Sequence, residues 1–243
     1  MFVVGVDGCK KGWIAIKLTE EGAWEPRIFP DIDTLWEYHS RASLILVDIP
    51  IGLREEGPSE RSCDTAARQV LGPRKFSVFP APRRKLLESK YQSYQEANAN
   101  HRQIADGKGI SRQTYALLPK IREVDQLLRR EASARRIMRE VHPEVCFWAL
   151  SGGWPVQVNK KKLAGFDERQ KALKAAYSPC DYIIAEGLNW LQGKGASPDD
   201  LLDALAAAVT GLIGGTRLRT LPPSPERDPY GLPMEMVYFS PGC

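Results

Sequence analysis

The sequence has no apolar run approaching the roughly 20 residues that a membrane-spanning helix needs. Its best candidate, 201 to 215, carries Asp203 near its start. The chain opens Met-Phe-Val-Val-Gly-Val-Asp, with no basic stretch ahead of an apolar one, so no signal peptide is expected. Cysteines are few: five, at positions 9, 63, 146, 180 and 243, none in a C-x-x-C pair. An odd count without a pairing pattern predicts reduced thiols and a cytoplasmic location. Phosphate-loop and dinucleotide signatures are missing. Lys108 and Lys194 are each followed by Gly, and no G-x-G-x-x-G follows a strand. His142 and Cys146 have zinc-like spacing but no second pair, and Cys63 has no recognisable base, so neither a zinc site nor a thiol nucleophile is expected.

What is present suits a soluble α/β protein. At 43% hydrophobic and 26% charged, the composition excludes disordered, collagen-like and coiled-coil chains. The 243 residues read as a single domain, 1–243. The net charge is only +4, but it is unevenly placed: residues 61–139 hold 18 Lys/Arg against 7 Asp/Glu. A basic segment between acidic flanks predicts attraction of phosphate backbones, and hence a nucleic-acid partner.

Short apolar runs punctuate the chain. Phe2 to Val6 reads as a strand buried on both faces, and Trp13 to Leu18 as a second strand one tight turn away. Trp24 to Phe29 completes a meander, and a short helix with Leu35, Trp36 and Tyr38 as apolar positions follows. Leu44 to Val47 is a fourth, fully apolar strand. A basic insertion over about 55–135 comes next, with one clear amphipathic helix marked by Leu117, Ile121, Val124 and Leu128. Ile137 to Val141 reads as a fifth strand, Phe166 to Tyr177 as a helix, Leu221 to Pro233 as a Pro-rich loop and Met234 to Phe239 as a last strand. Ser197-Pro198-Asp199-Asp200 has the chemistry of a helix start. This element order predicts an RNase H-like mixed five-stranded sheet flanked by helices, with a basic helical insertion after the fourth strand.

Two of these strands run directly into an acid, Asp7 and Asp48. Asp203 lies one turn into the last helix, with small neighbours at Ala206, Ala207 and Thr210 that would let the helix approach the sheet. Glu140, His142 and Glu144 recur at spacings of two around the end of the fifth strand. Two unit charges about 4 Å apart repel by roughly 4 kcal/mol at an effective dielectric of 20. Gathered carboxylates therefore recruit cations, and all-oxygen ligands suit Mg²⁺ or Mn²⁺. Two such ions form a standard engine for phosphodiester cleavage. Asp7, Asp48, Glu144 and Asp203 are the expected ligands and catalytic acids.

The motifs V-G-V-D-G-C-K-K-G-W, V-D-I-P-I-G-L, R-S-C-D at Arg61–Asp64, A-L-L-P-K-I-R-E-V-D at Ala116–Asp125, E-V-H-P-E-V-C-F at Glu140–Phe147 and L-L-D-A-L-A-A-A occur in that order. Together they resemble the domain-of-unknown-function family DUF429, described as predicted nucleases with an RNase H fold. The resemblance covers Val3 to Phe239. It implies that Arg61, Asp64, Lys120 and His142, which lie inside these motifs, belong to a site. Arg61, Lys120 and His142 are the expected substrate contacts, with a salt bridge to a flanking acid as the alternative for Arg61. Asp7, Asp48 and Asp203 are similar in placement to the acids of ribonucleases H and Holliday-junction resolvases. Ribonucleases H add a Glu on the helix after the third strand. Glu37 is the only acid well inside that helix here. No role is carried over to it, and Glu144 stands in its place.

The expected function is a metal-dependent nuclease. A non-catalytic nucleic-acid-binding module and an actin- or sugar-kinase-like phosphotransferase are the alternatives.

Overall fold

The apolar N-terminal run becomes the centre of a sheet. The computed structural model describes residues 1–156, 158 and 163–241. Strands β1 (Phe2–Cys9), β2 (Gly12–Thr19), β3 (Trp24–Phe29), β4 (Leu44–Val47) and β5 (Met138–Glu140) align in the order β3-β2-β1-β4-β5. The first three are antiparallel in sequence, while β4 and β5 run parallel to β1. This is the RNase H-like mixed sheet that the element order predicts.

Helix α1 (Ile32–His39) follows β3. Between β4 and β5 come α2 (Ser62–Leu71), α3 (Tyr94–Ile104), α4 (Arg112–Arg130) and α5 (Ala132–Ile137), with 3-10 turns at Gly72–Ser77 and Arg84–Glu88. After β5 come α6 (Pro143–Leu150), α7 (Leu163–Ala176), α8 (Cys180–Trp190) and α9 (Pro198–Gly214).

Side-chain alternation assigns each helix its layer. Val4, Val6, Ile45 and Val47 point to one face and pack with Leu35 of α1 and with Ile121, Val124 and Leu128 of α4. Val3 and Leu46 point to the other face and pack against Leu205, Ala207 and Ala208 of α9. Thus α4, although it belongs to the insertion, covers the sheet itself. Its apolar stripe is legible in the sequence; its destination is not.

Helix α9 starts as its sequence dictates. Ser197 accepts from the Asp200 amide at 3.2 Å, and Asp200 returns a bond to the Ser197 amide at 2.8 Å, with Pro198 in the first turn. At Gly5 the helix meets β1 backbone to backbone. A Cβ there would overlap the Ala204 carbonyl oxygen and the Ala208 amide nitrogen.

The structure corrects some details. The segment expected as a Pro-rich loop contains β6 (Arg219–Arg227), paired antiparallel with β7 (Pro233–Tyr238) in a second, two-stranded sheet. Prolines are tolerated because the ladder is broken between Leu221 and Glu226, where they fall, and the strand is an edge. Ile137 closes α5 rather than opening β5, and α8 was not foreseen. No disulfide joins Cys9, Cys63, Cys146 and Cys180, all of them buried; Cys243 lies outside the described residues. Among the described residues no helix is long and apolar enough to cross a membrane.

Candidate functional site

Two strand ends and one helix start supply the acids. Asp7 is the sixth residue of β1 and shares the parity of Val3 and Gly5, so it faces α9. Val6 pairs with Val47, and the Asp48 amide donates to the Val6 carbonyl at 2.9 Å, which sets Asp48 beside Asp7 on the parallel neighbour. Asp203 lies next to Ala204, which touches Gly5, so close packing of α9 on β1 delivers its carboxylate to the same end of the sheet. Carboxylate oxygens of Asp7, Asp48 and Asp203 lie within 4.8 Å of one another. The Asp7 side chain also accepts from the Gly8 amide at 2.6 Å, which orients it.

The trio borders an open cavity of about 500 Å³. The seven residues expected as ligands or substrate contacts line it: Asp7, Asp48, Glu144, Asp203, Arg61, Lys120 and His142. The 74–79 segment and α4 (Gln113, Leu117, Lys120) contribute further walls. Among the described residues, seven carboxylates and three cationic side chains, Arg61, Arg74 and Lys120, line this space. Such an excess favours cations over a bare phosphate.

Within that common cavity the residues divide. Glu144 is not part of the trio. Its Oε1 accepts from Arg169 Nη2 at 2.5 Å and from Arg74 Nη2 at 3.1 Å. Burial pushes its carboxyl up, but Arg169 and then Arg74 outweigh burial and hold it below the ordinary glutamate value. Glu140 shares the parity of Met138, which packs with Val47 on the opposite face of the sheet from α9, and so it too stays outside the trio.

Arg61 is committed to partners within the protein. It is fully buried, and its guanidinium donates to Asp64 at 2.5 and 3.2 Å, to Glu140 at 2.7 and 2.9 Å, and to the Ile51 and Gly52 carbonyls. Every N–H is spent inside the protein. Glu140 Oε2 also accepts from the Ile51 amide at 2.6 Å. The network thereby ties three sequence motifs together and fixes the loop that follows Asp48. Burial pushes the Glu140 carboxyl up, to about 7, against the pull of Arg61. Asp64 and Cys63 approach Glu140 as a second group of potential ligand atoms, but Arg61 occupies its carboxylates.

Lys120 of α4 lies over Asp7–Gly8 near the end of β1. A Cβ on Gly8 would sit 3.0 Å from its Cδ. Its ammonium lies 4.3 Å from the Trp13 ring centre and donates to the Gly12 carbonyl. Burial draws its pKa down, while Glu123, Cys9 and Asp7 pull it back. His142 caps α6, with Nδ1 accepting from the Glu144 amide at 3.2 Å. Asp200 lines the cavity while serving as a cap, and Arg74 reaches the wall from a 3-10 turn; neither was expected as a site residue from the sequence. The acidic spacing of Asp200 and Asp203 was the available signal for the first. For Arg74 there was none beyond the local excess of basic residues.

The family model for a protein of unknown function, DUF429, matches residues 5–227. The chain belongs to the DUF429 family. Neither a curated protein nor a solved structure matches it. The DUF429 span takes in the whole trio together with Arg61, Lys120, His142 and Glu144, and it stops before β7.

The basic segment of this DUF429 chain is less free than its count suggests. Arg84 pairs with Asp125, Asp228 and Glu55, and Arg68 with Glu60. Arg122 and Arg135 donate to main-chain carbonyls.

Proposed function

We propose that this protein is a metal-dependent nuclease, in which Asp7, Asp48 and Asp203 hold Mg²⁺ or Mn²⁺ and hydrolysis falls on a phosphodiester bond of nucleic acid. The observation that carries the reading is the meeting of three carboxylates, from two strand ends and one helix, within 4.8 Å at an open cavity. An all-oxygen donor set fits hard divalent cations and disfavours zinc. Such ions, when bound, activate water and steady the leaving oxygen. Asp7 is pre-oriented by the Gly8 amide, and Asp48 by the loop that Arg61 and Glu140 clamp. With Arg61 committed to that clamp, Arg74 and Lys120 are the cations on the wall that can meet substrate phosphate, and His142 is a further polar contact. The buried, undisulfided cysteines support a reducing, cytoplasmic setting.

The test is cleavage by purified protein of labelled DNA, RNA, hybrid and junction substrates with Mg²⁺ or Mn²⁺. Turnover is expected to vanish with chelator and to fall at least about 100-fold in Asp7→Asn and Asp203→Asn. If no substrate is cut, the reading fails. Binding that is unaltered in Asp7→Asn, without turnover, would instead support the non-catalytic module. The phosphotransferase alternative requires two five-stranded sheets of this kind, whereas the described residues form one such sheet and one hairpin.

A further inference from the structure

The 72–79 segment, which follows α2 and borders the cavity, carries an exposed aromatic ring without a structural task. Arg74, Ser77, Val78 and Phe79 line the cavity, and between them Lys75 and Phe76 face solvent. Phe76 is 85% exposed, more than any other large apolar side chain among the described residues. It joins none of the three hydrophobic clusters. The Lys75 ammonium lies 5.2 Å from its ring centre. Arg74 gives one nitrogen to Glu144, while its buried Nε has no hydrogen-bond partner among the described residues.

From this arrangement we infer that Gly72–Ser77 is a docking strip for single-stranded nucleic acid, with one unpaired base stacked on Phe76 and the adjoining phosphates on Arg74 and Lys75. The inference rests on the nuclease reading for its orientation, because the strip borders the cavity that holds the acidic trio. Two features favour a single strand. An exposed ring can stack only on a base that has left its helix. Cationic side chains flanking an aromatic match a base with its own phosphates, whereas a buried protein partner would desolvate Lys75 and Arg74 at a cost.

Equilibrium binding in chelator, where no turnover occurs, separates this proposal from the catalytic one. The probes are 12-mer oligothymidylate, 12-mer oligouridylate and a 12-bp DNA duplex, with 2-aminopurine placed in a parallel single strand. The wild type is expected to prefer the single strands and to quench 2-aminopurine as the base stacks. Phe76→Ala is expected to weaken single-strand binding by about 10- to 100-fold and abolish the quench, and Phe76→Trp to restore both. At 85% exposure the ring can be removed without unfolding the protein. The thymidylate and uridylate arms tell whether DNA or RNA is the better ligand. Preference for the duplex, absence of binding, or full affinity in Phe76→Ala would each overturn the inference. Loss of cleavage in the nuclease assay alongside intact, Phe76-dependent binding would overturn only the catalytic reading.

Discussion

Gly5 of β1 and Ala208 of α9 are in contact through their backbones: a Cβ on Gly5 would overlap the Ala208 amide nitrogen and lie 2.9 Å from the Ala207 carbonyl carbon. No side-chain adjustment can relieve such a clash, because the obstructing atoms are main chain. Gly5→Ala is therefore expected to lower unfolding free energy by about 3 kcal/mol or more, toward the upper end for overpacked cores. Urea denaturation measures this. Any folded fraction should have α9 displaced and Asp203 drawn away from Asp7, seen as lost Mn²⁺ binding in calorimetry.

The trio also predicts a conflict between stability and site. Carboxylates within 4.8 Å repel when no cation is present. Without divalent ions, Asp48→Asn should raise stability by about 1–2 kcal/mol, the partial exposure of Asp48 screening the rest. With Mn²⁺ the order reverses. The wild type gains about 2.7 kcal/mol at a concentration 100 times the dissociation constant, and Asp48→Asn gains little. Thermal melts with and without Mn²⁺ read both effects. An unchanged wild-type melting temperature across millimolar Mn²⁺ would contradict the ligand assignment.

A buried histidine contributes to the acid side of the stability curve. His39, at the end of α1, is 2% exposed and packed among Phe2, Phe29 and Tyr38. Burial pushes its pKa down, to about 4. The folded value is below the unfolded one, so its contribution is present above pH ~6.5 and is lost as pH falls toward 4. The loss is expected to reach up to about 3 kcal/mol. His39→Phe should flatten the fall between pH 6.5 and 4 in urea titrations.

The sheet was legible because its evidence is local. Apolar runs at 2–6 and 44–47, each ending in an acid, identify two strands and two acids of the trio, and parity then carries Asp7 to the face of Gly5. The small residues that let α9 approach were also visible, although the face in contact is Ala204, Ala207 and Ala208 rather than Ala206, Ala207 and Thr210. Arg61 was legible in part: the alternative of a salt bridge with a flanking acid is met by Asp64, three residues on, whereas its second partner, Glu140, is 79 residues away and nothing local announces it. That Glu144 lies outside the trio was hidden for a similar reason. Arg169, which holds it, is 25 residues further on in a helix with no motif of its own.

Arg61 gives the sharpest test of how the site is held. It neutralises two buried carboxylates, and its donors clamp the carbonyls of Ile51 and Gly52 just beyond Asp48. Arg61→Ala removes one partner and leaves Asp64 and Glu140 buried and uncompensated, so a cost of about 3–5 kcal/mol is expected. Arg61→Lys keeps the charge but cannot satisfy both carboxylates and two carbonyls with three donors. That variant should fold with a smaller loss and release the loop after Asp48. Its Mn²⁺ affinity should then fall about 10- to 100-fold, as when an outer support of a metal ligand is removed. A direct phosphate contact would give the opposite pattern, with Mn²⁺ affinity intact in Arg61→Lys and nucleic-acid affinity lost. Calorimetry with Mn²⁺ and oligonucleotide binding on the same preparation distinguish the two.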